Sequence, residues 1–343
     1  QTINPMIVSF AQAPGSRDLA AVLALFLGLM TIVLLYFMNR VERKGNYISI
    51  SKTKEKMHKQ KLRNPTANII AHILAYGMFI IYMLPICFVV LFSFCDALSI
   101  KTSTLRLSSF TLKNYIALFT KQDAFRPYLV SIVYSVAAAV IAGLICVVVA
   151  RLVLKSKRKI DSFFEYGLLI PWLLPTTFIA LGLMFTYDSP RFLVGNKVLI
   201  GSIWIMLIAY VVVKLPFSFR MIRAAFFGVE DSLEEAARTM GAKPVYTMFK
   251  VILPVILPTV MSVAALNFNA LLSDYDLSVF LYSPKYQPLG VIIKAASDEG
   301  VNENAQAMAL VYSVVLMILC GLALYLTQGG GAQAIRKKLK RKS

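Results

Sequence analysis

The chain has 343 residues, of which 58% are hydrophobic and 15% charged, and its formal net charge is +19. Such a balance excludes an ordinary soluble globular domain, where about a quarter of the residues carry charge. Nucleic-acid binding is disfavoured too, because the Lys and Arg excess is dealt out along the chain between apolar runs and does not collect on one soluble domain.

Seven apolar stretches are long enough, at about 1.5 Å per residue, to cross a hydrocarbon core roughly 30 Å thick. They run over Leu19–Met38, Asn68–Phe94, Tyr128–Ala150, Tyr166–Phe185, Val198–Val213, Val251–Leu272 and Ala305–Leu326. Each is a continuous apolar block without strict alternation, and lipid supplies no water to satisfy backbone groups, so helices are expected and a barrel is not. The expected fold class is all-α, a polytopic membrane protein with seven transmembrane helices. Its expected divisions are an external segment with an extra helix (1–38), a basic linker (39–67), a six-helix unit (68–328) and a basic tail (329–343). Pro171, Pro175, Pro254 and Pro258 interrupt hydrogen-bond ladders, so kinks are expected there.

Charge sets the expected orientation. Nine Lys and Arg lie between Asn39 and Pro65, five between Arg151 and Lys159, and six from Arg336 onward. With Arg220, Arg223, Arg238, Lys243 and Lys250, one side carries 25 basic residues against 10 on the other, Lys214 being left uncounted at a helix end. The basic side is expected to be cytoplasmic, which puts the N-terminus outside and the C-terminus inside.

Between the fifth and sixth stretches runs Gly228-Val-Glu-Asp-Ser-Leu-Glu-Glu-Ala-Ala-Arg-Thr-Met-Gly241. Ser232 and Glu235 have the spacing of a capping box, and Glu230, Asp231, Glu234 and Glu235 crowd an expected helix N-terminus, where the macrodipole favours negative charge. Gly241 permits a positive φ and Pro244 blocks continuation, so a helix, a tight turn and a second helix are expected. Leu233, Ala236, Ala237 and Met240 share helical spacing and form a small apolar face suited to a groove on a partner, or to resting on the membrane surface.

Glu235-Ala236-Ala237, three residues, Gly241, nine residues, then Val251-Ile252-Leu253-Pro254 resembles the EAA loop of binding-protein-dependent ABC importer permeases; only Val251 departs, where Ile is usual. The resemblance implies that this loop is the coupling helix that docks into a cleft of the nucleotide-binding subunit, with Glu234, Glu235, Ala236, Ala237, Gly241, Leu253 and Pro254 as ATPase-coupling residues. It implies as partners two copies of a cytoplasmic ATP-binding subunit, an extracytoplasmic solute-binding protein, a second permease half and the lipid bilayer, in a bacterial plasma (inner) membrane. Ser109–Tyr115, Pro171, Pro175, Leu215, Pro216 and Arg220 extend the resemblance, closest to the branch that serves ferric iron, polyamines, thiosulfate and aminoethylphosphonate. The extra helix at Leu19–Met38 resembles the end of a preceding half. With Gln1 as first residue, that carries the expectation that this chain is the C-terminal part of a fused two-half permease.

No GxxxxGK[ST] phosphate loop occurs, so ATP hydrolysis is expected from a separate subunit. His58 and His72 are the two histidines, and Cys87, Cys95, Cys146 and Cys320 have no metal-ligand spacing, so no catalytic residue, metal site or cofactor is expected. In the sixth stretch Ser262, Asn269, Ser273 and Asp276 are seven, four and three residues apart, on one helical face. That stripe lines a pathway or bonds neighbouring helices. Asp274 and Asp276 at its outer end suit a cation, which favours ferric iron as solute. The competing class is an ion-coupled carrier or a membrane scaffold, against which stand the near absence of mid-span ionisable residues and the spaced loop.

Overall fold

The computed structural model describes residues 3–13, 15–42, 64–102, 104–121, 123–155, 159–298 and 302–328. Most of the basic linker and the whole tail lie outside these residues. In chain order the α-helices are α1 (Ile3–Gln12), α2 (Arg17–Glu42), α3 (Pro65–Ser93), α4 (Ala97–Lys101), α5 (Lys113–Thr120), α6 (Arg126–Lys155), α7 (Lys159–Leu169) and α8 (Thr176–Tyr187). They continue with α9 (Ile203–Phe227), α10 (Asp231–Thr239), α11 (Pro244–Thr247), α12 (Leu253–Leu272), α13 (Ser278–Leu281), α14 (Leu289–Ser297) and α15 (Glu303–Gln328). No strand occurs among the described residues, only isolated bridges.

The helices α6, α9 and α12 form the centre. Ala138 and Ala142 of α6 meet Ala209 of α9, and these small side chains let the two backbones approach closely. Between α9 and α12 the amide of buried Asn267 donates to Ser218 Oγ at 2.7 Å, satisfying polar groups that lipid would leave unpaired. By contrast α3, started by Pro65 and by Asn64 accepting from the Thr66 amide, packs against α15 and leaves its remaining sides open.

Among the described residues six helices are long and apolar enough to cross a membrane, and the count is seven if the bent pair below is one span. The fourth expected stretch is not a single helix. Segments Phe164–Leu173 and Thr176–Tyr187 meet at 108°. The cause is local: Ile170–Leu173 tightens to a 3₁₀ turn, and Leu174, forced out of the helical region by the following Pro175, is extended at φ −110°, ψ 137°. The fifth expected stretch ends too early at Val213. The helix α9 runs on through Pro216 to Phe227, so Lys214 lies mid-helix and not at a helix end. Pro258 sits inside α12 without ending it, while Pro254 occupies its first turn, where no amide is required.

At the far end of α12 the chain folds back through α13 and α14 before α15. The α14 backbone passes so close that a β-carbon on Gly290 would lie 2.3 Å from the Asp274 carbonyl oxygen. The Leu289 amide donates to Ser131 Oγ of α6 at 2.8 Å, and Tyr128 of α6 donates its hydroxyl to the Tyr312 carbonyl of α15 at 2.8 Å. These bonds fasten the outer elements to α6.

Candidate functional site

The loop between α9 and α12 forms the helix and turn its sequence implies. The helix α10 ends in a paired closure: the Gly241 amide donates to the Arg238 carbonyl at 2.9 Å and the Ala242 amide to the Ala237 carbonyl at 3.0 Å. That six-to-one and five-to-two pattern needs a left-handed residue, and Gly241 supplies it at φ +79°. Nothing lies within 4 Å of a β-carbon built there, so conformation and not space requires the glycine. Pro244 then opens α11.

The start of α10 differs from expectation. Glu230 is the N-cap, which puts Ser232 inside the first turn, where its hydroxyl donates to Glu230 Oε2 at 3.2 Å. The Ser232–Glu235 capping box therefore does not form. The expected apolar face is also divided: Ala237 is 2% exposed and packed into its own subunit, whereas Leu233 and Met240 are 40% and 81% exposed. Glu235 and Ala236 are exposed beside them. Leu253 is half-buried and Pro254 exposed at the start of α12.

What holds α10 in place is an ion cluster. Arg151 at the end of α6 donates from Nη2 to Glu234 Oε1 at 2.9 Å, and Lys155, one turn further, pairs with the same carboxylate. Burial pushes the Glu234 carboxyl up, but the hydrogen bonds and charges of Lys155 and Arg151 outweigh it and hold the group below its ordinary 4.5. Arg223 of α9 pairs likewise with Glu165 of α7. In sequence these arginines read only as topology charges. Their partners lie 83 and 58 residues away, and no local pattern signals them. Between α11 and α12, residues Met248–Ile252 form a π-helical turn, a widening often found at functional positions.

The expected pathway stripe does not stay on one helical face. Because α12 ends at Leu272, Ser273 is its C-cap and Asp276 lies in the following loop, both exposed. Ser262 donates back to the Pro258 carbonyl at 2.9 Å, and Asn269 donates to the Cys320 carbonyl of α15 at 3.4 Å. Asp274 turns inward: its carboxylate accepts from the Ser278 amide at 3.1 Å. Burial raises its carboxyl, against the lowering effect of the Ser278 amide and the positive charge of Lys214. Lys214, half-buried in mid-helix, is the ionisable side chain that sequence reasoning set aside.

The fold is that of a polytopic helical membrane protein, with an anchored loop helix between two of its central helices. The family of binding-protein-dependent transport system inner membrane components matches residues 135–329, and the chain belongs to that family. Among its relatives, the ABC transporter permease protein y4fN of Sinorhizobium fredii is 37% identical over 300 residues, which cover 88% of this chain and 52% of that protein. The chain thus spans about half the length of that relative. The 2-aminoethylphosphonate transport system permease protein PhnV of Salmonella typhimurium is 24% identical, covering 75% of this chain and 93% of PhnV. The spermidine/putrescine permease protein PotC of Haemophilus influenzae is 27% identical over 191 residues. A chain of the bacterial alginate ABC transporter, solved with its alginate-bound periplasmic protein, superposes with a TM-score of 0.60 at 16% identity, covering 77% of this chain and 97% of that one, which establishes a shared fold.

Proposed function

We propose that this chain forms half of the translocation pathway of an ABC importer, taking solute from an extracytoplasmic binding protein and driven by two copies of a cytoplasmic ATPase. The observation that carries the reading is α10: a helix closed by Gly241, tied by Glu234 to the end of α6, and presenting Leu233, Glu235, Ala236 and Met240 outward. An exposed apolar patch rimmed by charge on an anchored helix suits docking into a cleft. The burial of Ala237 gives it a different part: it seats α10 on its own bundle while its neighbours meet the ATPase. Leu253 and Pro254 pass the motion into α12. The excess of basic residues at this end supports an orientation with α10 and the C-terminus in the cytoplasm and the N-terminus outside, in a bacterial inner membrane. A second permease half, in the same polypeptide, completes the pathway, in keeping with the greater length of the Sinorhizobium relative.

The solute we favour is ferric iron, on the carboxylate of Asp276 exposed just past the outer end of α12. A second reading is an anion of the aminoethylphosphonate kind, favoured by the cation Lys214 within α9 and by the extent of the PhnV match. Proteoliposomes holding the complete permease and its ATPase decide between them. Binding protein loaded with ferric iron, or with aminoethylphosphonate, is expected to stimulate ATP hydrolysis; absence of any associated ATPase would return the carrier or scaffold reading.

A further inference from the structure

A groove runs along the junction of α6 and α12 and opens at its lower end beneath α10. Its upper part is a cavity of about 610 Å³ with apolar walls, from Ala139, Gly143 and Leu144 on α6 to Leu257 and Ala264 on α12. Its lower part, about 790 Å³, is bounded by Arg151, Lys155 and Arg238, with Glu234 the one acid among its lining residues. Both parts share Arg151, Leu152, Val245, Met248 and Phe249, so they form one space with an apolar shaft and a basic mouth.

We propose that this groove binds one anionic phospholipid of the cytoplasmic leaflet, its phosphate held at Arg151, Lys155 and Arg238 and one acyl chain laid along α6. The inference rests on the orientation proposed above. Charge selects the headgroup: among the described residues lining the mouth three cations stand against one carboxylate, while Glu230 and Asp231 line a neighbouring pocket that shares Arg151 and Lys155, so the mouth itself keeps a positive excess of the kind that attracts anionic headgroups. Length selects the tail. From Leu152 to Ala139 the groove follows α6 for about 20 Å, and half of a hydrocarbon core measures roughly 15 Å, so the shaft reaches just past the midplane. The helices α6 and α12 pack on one another beneath the groove, so an occupant lies along their junction. At Gly143 a β-carbon would meet nothing within 4 Å, so the shaft is open at mid-depth. Because Arg151 and Lys155 also hold Glu234, the lipid phosphate shares its cations with the anchor of α10.

The test is lipid retention by the intact permease–ATPase complex, reconstituted in vesicles of equal phosphatidylglycerol and phosphatidylcholine, re-extracted and weighed by native mass spectrometry. With a positive excess at the mouth, phosphatidylglycerol is expected to be retained about 5- to 30-fold over phosphatidylcholine. Gly143→Leu or Ala264→Phe, which fill the shaft, are expected to abolish retention of either lipid. Lys155→Gln with Arg238→Gln is expected to keep a bound lipid and erase the preference. Equal retention of both lipids by the unaltered complex overturns the proposal without needing any variant, as does full phosphatidylglycerol retention in the shaft-filling variants. A cysteine-labelling measurement at Lys155→Cys, accessible from outside the cell, would remove the orientation beneath it. Stimulated ATP hydrolysis is scored separately, so loss of the lipid site leaves the coupling reading standing.

Discussion

Replacing Glu234 by Gln removes one charge and keeps the side chain's size, which isolates the tie between α10 and α6. The Arg151–Glu234 bond is 2.9 Å long, with side chains 21% and 25% exposed, while Lys155 is 54% exposed and contributes through a screened, wetter contact. Hydrogen bonds to charged groups contribute about 1.5–3 kcal/mol when buried, and exposed ion pairs about 0–1 kcal/mol. The partly covered cluster is therefore worth about 1–2 kcal/mol. Because α10 has few other ties to the bundle, its local opening should rise about 5- to 30-fold. Amide hydrogen exchange over Asp231–Thr239 in the purified complex reads this directly, and ATP hydrolysis without solute transport should increase with it. The dependence on pH follows from the direction of the Glu234 shift. A carboxyl held below its ordinary 4.5 stabilises fully above that value, and the contribution is lost as pH falls through the lowered pKa. Exchange over α10 should thus show no tie-dependent change from neutrality down to about pH 5 and converge with that of Glu234→Gln in stronger acid. Unchanged exchange in Glu234→Gln at neutral pH would refute the anchoring role.

Gly241→Ala keeps the fold but forces a side chain into the left-handed region at φ +79°, a cost of roughly 1–2 kcal/mol, visible as a lower melting temperature and weaker coupling. Gly290→Ala drives a β-carbon against the Asp274 carbonyl oxygen; a loss of about 1–3 kcal/mol in detergent unfolding is expected, and an unchanged midpoint would show that α14 moves aside freely. Ser218→Ala strips buried Asn267 of its acceptor, so the α9–α12 contact should weaken by about 1–3 kcal/mol, measured by a double-mutant cycle with Asn267→Leu. Lys214→Met should abolish transport of an anionic solute and leave a cationic one unaffected, measured by uptake into proteoliposomes.

The expected spans agree with the long helices at α2, α3, α6, α12 and α15 because hydropathy summed over some twenty residues is a local quantity that survives any packing. The two departures have different origins. At Lys214 a single charge outweighed its apolar neighbours, although α9 accommodates the side chain in mid-helix within electrostatic reach of Asp274; at Tyr166–Phe185 hydropathy carried no record of the 108° break. Gly241 and Pro244 were legible because backbone conformation there is chosen by the residues themselves.

An all-helical membrane protein, the positions of most of its spans and the helix–turn of the Glu235–Pro254 loop are thus legible in the residues themselves, each set by side chains acting within a few turns of one another. Only the tertiary structure decided that Ala237 faces inward, that Glu234 is clasped by Arg151 and Lys155 from 83 and 79 residues away, and that Asn269 and Asp274 turn towards protein. Those outcomes depend on which helices become neighbours, and that is a property of packing between distant segments for which one chain's local chemistry leaves no mark.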